Sequence, residues 1–117
     1  MTTENVFTVS LETFDELVIS ASDTQPILVD FWADWCSPCI VLAPIIEKVV
    51  NDYHGKIKLA KLEVDKDENM KLAGQYKVRG FPTVVLFMQG KEVARFSSAQ
   101  SYQFIDEFVQ THASATL

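Results

Sequence analysis

The chain has 117 residues, 48% of them hydrophobic and 22% charged, a composition typical of one compact globular domain, which we expect to span residues 1–117. A formal net charge of −6 without a basic cluster disfavours nucleic acid and anionic membranes as partners. No apolar stretch is long enough to cross a bilayer, and residues 1–5 lack the features of a signal peptide, so the sequence predicts a reducing, cytoplasmic location.

The first part of the chain predicts an edge strand, a helix and a central strand. Residues 6–9 alternate weakly in hydropathy, which predicts a short edge strand. Residues 27–32 are apolar on both faces apart from Asp30, as in a strand that helices cover on either side. Between them, Ser10 is the expected N-cap of a helix that ends near residue 20 and buries Leu11, Phe14, Leu17 and Val18.

Both cysteines follow the central strand, in the segment Trp35-Cys36-Ser37-Pro38-Cys39. Cys36 is expected where the strand ends and a helix begins, with Pro38 in the first turn, where its missing N–H does no harm. A helix N-terminus stabilises negative charge, and the thiolate is the reactive form of cysteine, so the pattern predicts a redox dithiol. The helix itself is predicted over residues 38–53 from apolar side chains at helical spacing, namely Ile40, Val41, Ile45, Ile46, Val49 and Val50.

The middle of the chain predicts the end of this helix, a strand and a short helix. Pro44 should bend the helix axis, and Gly55 should end the helix in a left-handed conformation. Residues 57–65 alternate in hydropathy like a strand. Asp67 is the expected cap of a helix that runs to about residue 76.

The last part predicts a hairpin and a helix. Residues 83–88 and 92–97 form the hairpin strands around a turn at residues 89–90. Residues 113–117 have nothing to pack against and should form a frayed tail. Ser101 is the expected cap of the final helix, whose apolar face carries Phe104, Ile105, Phe108 and Val109.

The predicted order of elements is β-α-β-α-β-α-β-β-α. Parallel strands joined by helical crossovers and followed by an antiparallel hairpin form a mixed sheet with helices on both faces. The sequence therefore predicts the α/β class.

Several segments together resemble the thioredoxin family. The segments are residues 30–39, which include both cysteines, Pro44, and residues 60–65, 79–83 and 86–90. The likeness covers about residues 6–112. The resemblance implies the thioredoxin fold and the reduction of protein disulfides through a mixed-disulfide intermediate. It also implies no bound cofactor, disulfide-containing proteins as substrates, and a separate reductase that supplies electrons.

The dithiol chemistry assigns different roles to the two cysteines. Cys36, ahead of the helix, is the expected nucleophile, and Cys39, one turn into the helix, is the expected resolving thiol. Burial should raise the pKa of Asp30, which would suit it as a general base for Cys39. The alternative is a structural aspartate satisfied by hydrogen bonds or by a lysine, and Lys61 occupies the family's partner position.

The resemblance also implies a substrate-binding surface around the dithiol. Pro82 is expected to have a cis peptide bond and to face the dithiol, which would leave the backbone of Phe81 free to pair with an extended substrate. Other expected contacts are Trp35, Ser37, Pro38, Ile40 and Ser98.

Three positions depart from the family pattern, and they concern the choice of partner. Ser37 and Ser98 stand where the family has glycine, and Ile40 stands where a lysine or arginine commonly follows the second cysteine. No lysine or arginine occurs between residues 21 and 47, so thiolate stabilisation must come mainly from the helix terminus and backbone N–H groups.

Other functions remain open on the sequence alone. A metal site is disfavoured, because zinc needs four ligands and neither His54 nor His112 has a suitable spacing to the cysteines. The acidic residues 65–69 lack the glycine and final glutamate of a calcium loop and predict a solvated helix start. Buried structural thiols, a binding or chaperone-like module, and a disulfide oxidase or isomerase are the alternatives to a reductase.

Overall fold

A computed structural model of the protein describes residues 5–117; residues 1–4, to which most of the signal-peptide prediction applies, lie outside it. Five strands form one sheet in the order β1-β3-β2-β4-β5. Strands β1, β3 and β2 are parallel, whereas β4 runs antiparallel to β2 and β5 antiparallel to β4. The strands are β1 (Val6–Thr8), β2 (Ile27–Trp32), β3 (Lys58–Glu63), β4 (Thr83–Met88) and β5 (Lys91–Ser97).

The three α-helices are α1 (Ser37–Asp52), α2 (Met70–Gln75) and α3 (Tyr102–Ala113). The predicted α/β class, the order of elements and the mixed sheet are confirmed. Successive residues of β2 serve two separate apolar cores, because side chains along a strand alternate between its faces. Val29 and Phe31 belong to one core, and Leu28 belongs to the other with α1 and α3.

The first helical segment differs from its prediction. A π-helix (Asp15–Ser20) and a 3-10 turn (Ala21–Asp23) replace the expected α-helix. Ser10 is not its N-cap: the Ser10 backbone N–H donates to Thr13 Oγ1, and the segment begins after Phe14 without a side-chain cap. Among the residues expected to be buried, Phe14 and Val18 are buried, while Leu11 and Leu17 are only half-buried.

Helix α1 runs without a break through Pro44, whose side chain is exposed. Gly55 adopts the predicted left-handed conformation with a φ of 90°, and His54 before it also has a positive φ of 53°. Of the apolar side chains from which the helix was predicted, Ile40 and Val41 are exposed and Ile45 is half-buried. The residues of α1 that are buried are Cys39, Leu42, Ile46, Val49 and Val50.

Asp67 does not cap α2; it has a positive φ of 50°, and the helix begins after Asn69 without a side-chain cap. The buried Asn69 side chain instead joins two distant segments, because it accepts from the Leu11 N–H and donates to the Glu63 carbonyl. The hairpin turn at Gln89 and Gly90 is confirmed, and both residues have positive φ.

Ser101 caps α3 as predicted, since its hydroxyl oxygen accepts from the Phe104 N–H at 3.1 Å. Phe104 lies outside the buried face, with 41% of its surface exposed. The tail has packing partners that the sequence did not reveal. Ala113 is buried, Ser114–Thr116 form a 3-10 turn, and Leu117 packs against the core shared by α1 and α3.

Candidate active site

Cys36 and Cys39 form a disulfide at the junction between β2 and α1, with their Cα atoms 5.3 Å apart. Cys36 is the N-cap residue of α1, and its sulfur accepts a hydrogen bond from the Cys39 N–H at 3.2 Å. A sulfur atom thus occupies the place that a serine or aspartate oxygen takes at other helix starts. A negative charge on Cys36 would meet this N–H group and the positive end of the helix dipole.

Both cysteines are buried in this oxidised form, with 5% of Cys36 and 2% of Cys39 exposed. Pro38 and Ser37 are exposed in the first turn of α1, where the sequence places them. The difference between the cysteines has the predicted direction and is small, so the division into nucleophile and resolving thiol stays a prediction.

Exposed apolar side chains surround the junction. Trp35 is 63% exposed, and Ile40 and Val41, near the start of α1, are 54% and 57% exposed. The Trp35 ring stands edge-to-face against Phe81 with the ring centres 6.0 Å apart. The indole N–H of Trp35 donates to Asp65 Oδ2 at 2.5 Å, which fixes the ring in place. We call Trp35, Ile40, Val41 and Phe81 the apolar rim.

The peptide bond between Phe81 and Pro82 is cis, as predicted. Pro82 is buried, and the Thr83 hydroxyl donates to the Gly80 carbonyl at 2.7 Å, which closes the turn before β4. Ser98, just after β5, donates its backbone N–H to the Pro82 carbonyl at 3.1 Å. The predicted contact residues Phe81, Pro82 and Ser98 therefore lie together in the fold.

Asp30 is buried in the centre of β2 with 1% of its surface exposed. Its Oδ1 atom has no hydrogen-bond partner within residues 5–117. The pKa of Asp30 is raised to about 7, and burial is the largest cause. The Lys61 charge lowers this pKa and the Glu47 charge raises it, each by less than burial does. A carboxyl group with such a pKa exchanges protons readily at neutral pH.

Lys61 lies beside Asp30 in the sheet register but does not form a salt bridge with it. The Lys61 ammonium group contacts Glu47 Oε2 at 3.0 Å and lies 5.3 Å from the centre of the Trp32 ring. No direct bond therefore joins Lys61 to Asp30 in this structure, and the choice between a structural and a catalytic Asp30 stays a prediction.

Comparison with known proteins identifies the family. The family model described as Thioredoxin matches residues 5–111. The chain is 39% identical over 107 residues to the thioredoxin of Pseudomonas aeruginosa, covering 88% of this chain and 95% of that one. It is 41% identical over 102 residues to the thioredoxin of Acidithiobacillus ferridurans, covering 84% and 91%. The thioredoxin of Chlorobaculum thiosulfatiphilum is 44% identical over 88 residues, covering 75% and 80%.

The chain belongs to the thioredoxin family. Its α/β sheet is the thioredoxin fold, and its disulfide lies in the Trp-Cys-x-x-Cys spacing. The family and the cysteine pair together support a thiol–disulfide oxidoreductase that acts on protein disulfides. Within residues 5–117, no helix is long and apolar enough to span a membrane, and no group of three or more His, Cys, Asp or Glu side chains could hold a metal ion.

Ser98, one of the three departures from the thioredoxin pattern, has an unusual backbone. Its φ of 75° lies in the left-handed region that favours glycine. Its side chain is exposed beside the cis-proline segment. The serine therefore adds both side-chain bulk and backbone strain beside the cis proline.

Two residues near the site were missed from the sequence. Asp65 holds Trp35, and Glu47 holds Lys61. Asp65 could have been found, because it follows β3 as Trp35 follows β2, and parallel neighbours end at the same edge of a sheet. Glu47 gave no such signal, since its contact depends on how α1 is rotated over the sheet.

Proposed function

We propose that this protein is a thioredoxin-type protein-disulfide reductase, carried by one domain over residues 1–117 and working in a reducing cytoplasm. The observation that carries the proposal is the sulfur cap: Cys36 is the N-cap of α1, with its sulfur 3.2 Å from the Cys39 N–H. The same N–H and the helix dipole would stabilise the Cys36 thiolate without help from a lysine or arginine.

The first step is attack of the Cys36 thiolate on one sulfur of a substrate disulfide. A bond forms between Cys36 and that sulfur, the substrate disulfide breaks, and the released substrate thiolate takes a proton. The backbone N–H and C=O of Phe81 make no backbone hydrogen bond within residues 5–117, so they are free to pair with an extended substrate segment. Trp35 and Ile40 offer apolar contact to the same segment, alongside Ser37, Pro38, Pro82 and Ser98.

The second step is release of the substrate by Cys39. The Cys39 thiol transfers its proton to the Asp30 carboxylate and then attacks the Cys36 sulfur. The mixed disulfide breaks, the second substrate thiolate leaves, and the Cys36–Cys39 disulfide of the present structure forms. Two electrons have passed to the substrate, and a separate reductase returns two electrons to the protein.

The test is insulin reduction driven by dithiothreitol, with wild type and with Cys36→Ser and Cys39→Ser. A reductase speeds precipitation of the insulin chains in wild type and loses this effect in Cys36→Ser. If Cys36→Ser accelerates precipitation as much as wild type, the dithiol is incidental and the protein acts as a binding or chaperone-like module. If wild type instead forms disulfides in reduced ribonuclease faster than it reduces insulin, it is an oxidase or isomerase.

A further inference from the structure

Three ionisable side chains meet on the face of the sheet that α1 covers. Asp30 lies two residues from Leu28 along β2 and therefore points to the same face, on which Leu28 packs in one core with residues of α1. Lys61 is the register partner of Asp30 on β3, so its side chain leaves the sheet on that face too. Glu47 comes from α1 above them.

The position of the Lys61 ammonium group is defined by two contacts. Glu47 Oε2 lies 3.0 Å from it, and the Trp32 ring lies 5.3 Å away at cation–π distance. Neither contact involves Asp30, although Asp30 is the direct neighbour in the sheet. Meanwhile Asp30 Oδ1 lacks a partner within residues 5–117, which is unusual for a buried carboxyl oxygen.

We propose that Glu47 is a positioning residue: it holds the Lys61 ammonium group away from Asp30 and so favours the protonated form of the buried carboxyl. Without Glu47, the flexible lysine stem would bring the ammonium group to the unpartnered carboxylate, whose ionised form it would stabilise. The effect of Glu47 on proton transfer from Cys39 rests on the proposed function. The effect of Glu47 on the protonation of Asp30 does not.

The surroundings of Asp30 offer few other charges that could have the same effect. On β3, Glu63 shares the face of Lys61, two residues further along, and on β4 the register partner of Asp30 is Val84. Helix α3 covers this core with Ile105, Phe108 and Val109, which do not titrate. From α1, the Cys39 thiol adds a titratable group once the disulfide is reduced.

Both effects of removing Glu47 act in one direction. The loss of its negative charge lowers the pKa of Asp30, because that charge raises it, and the released Lys61 lowers it further. Burial, the largest cause, and the charges of Lys61 and Glu47 together place the pKa of wild-type Asp30 at about 7, so both protonation states are populated near pH 7.

The experiment measures the protonation of Asp30 in the oxidised protein, where the cysteines are held in the disulfide and do not titrate. Infrared difference spectra against Asp30→Asn isolate the C=O band of the protonated carboxyl. At pH 7, Glu47→Gln should lower the ratio of acid to carboxylate at Asp30 by about tenfold or more. Glu47→Ala removes the acceptor entirely and should do the same. Asp52→Asn is the matched control, because Asp52 also pairs with a lysine on α1, namely Lys48, and should leave the ratio unchanged.

A double-mutant cycle separates positioning from a simple charge effect. In a Lys61→Met background there is no ammonium group to hold, so most of the effect of Glu47→Gln should disappear. An equal fall in the ratio with and without Lys61 would show that Glu47 acts only through its own charge and would overturn the proposal. An unchanged ratio in both Glu47 variants would overturn it as well.

The same variants tested in insulin reduction distinguish this proposal from the proposed function. If the ratio falls in Glu47→Gln and the pH profile of reduction moves to lower pH, both are supported. If the ratio falls and the pH profile stays in place, Glu47 positions Lys61 as proposed, but Asp30 is not the base for Cys39.

Discussion

The Cys36–Cys39 disulfide separates two regions of opposite character. Outside it lies the apolar rim, in which Trp35, Ile40 and Val41 are each more than half exposed. Inside lies Asp30, 1% exposed, with a raised pKa and an unpartnered oxygen. Exposed apolar surface of this kind marks a partner-binding surface, whereas a buried titratable group controls a proton.

Because the two regions share no side chain, we expect that partner choice and proton transfer can be changed separately. Changes in the apolar rim alter contacts with other proteins and leave the buried charges in place. Changes at Asp30, Lys61 or Glu47 should alter the pH at which a proton moves and leave the apolar rim in place.

The largest effects are expected where the two regions meet, at the sulfur atoms. Cys36→Ser should reduce insulin no faster than dithiothreitol alone, because no thiolate is left at the helix N-terminus to attack. Cys39→Ser should accumulate a mixed disulfide with substrate, which mass spectrometry of the intact protein detects. Trapping by Cys36→Ser and not by Cys39→Ser would reverse the two roles.

Asp30→Asn should strengthen the folded state at neutral and alkaline pH. The folded pKa is about 7 and the ordinary value is 3.8, so between these values the folded protein holds a proton that the unfolded chain has lost. The free energy of unfolding of the wild type therefore falls as pH rises through this window. Asparagine has no proton to lose, so the variant should gain on wild type from pH 4 to pH 7 and then level off, by on the order of 2–4 kcal/mol.

The measurement is denaturant unfolding of the oxidised protein at pH 4, 7 and 8. Asp34→Asn is the control, since Asp34 is an exposed acid beside the same site and should show no such gain. The same Asp30→Asn variant should release substrate more slowly near neutral pH, as seen in single-turnover reduction. Wild-type rates from pH 6 to 8 would make Asp30 purely structural.

The sequence predicted the buried strands better than the polar contacts. Strands β2 and β4 have the predicted bounds, because their apolar runs are covered on both faces and leave little freedom in register. The cap at Ser101 was also predicted, since it depends only on residues three apart. The caps at Ser10 and Asp67 failed. Beside Ser10, the Leu11 N–H is bound by Asn69, far along the chain, and Asp67 has a positive φ instead of the extended backbone of an N-cap residue.

In the candidate site too, the local features were predicted and a contact between distant residues was not. The disulfide spacing and the cis proline follow from local sequence and family likeness, and the structure contains both. The contact between Lys61 and Glu47 was not predicted. The sequence indicated that Lys61 and Asp30 lie on neighbouring strands, but it did not indicate which residue of α1 lies above them. The roles of Cys36, Cys39 and Asp30 stay predictions until the variants are measured.

The departures from the family pattern at Ile40 and Ser98 should weaken recognition by a standard thioredoxin reductase. Ile40 presents an apolar surface where a cation is common, and Ser98 adds bulk beside the cis proline. We expect Ile40→Lys combined with Ser98→Gly to raise kcat/KM with such a reductase by roughly tenfold or more, about 1.4 kcal/mol. Val41→Lys is the control, because it adds the same charge at an equally exposed neighbour.

Steady-state kinetics decide this prediction, and reduction of a small disulfide should be equal in all the variants. If wild type already turns over as well as the double variant, these positions do not set partner choice. If Val41→Lys improves turnover as much as the double variant does, net charge matters and position does not.

The smallest effect is expected at the backbone of Ser98. A left-handed conformation costs a residue with a Cβ roughly 1–2 kcal/mol, whereas glycine loses about 0.5–1 kcal/mol through its greater freedom in the unfolded chain. The first term is the larger at a φ of 75°, so Ser98→Gly should raise the free energy of unfolding by about 0.5–1 kcal/mol.

Two neighbouring variants separate strain from the loss of the hydroxyl group. Ser98→Ala keeps the Cβ and should gain nothing. Ser97→Gly lies one residue earlier, inside the extended strand β5, and should lower stability by about 0.5–1 kcal/mol. All three are measured by denaturant unfolding at one pH. A gain from Ser98→Ala equal to that from Ser98→Gly would place the cost in the hydroxyl group, and Ser98 would then carry no backbone strain.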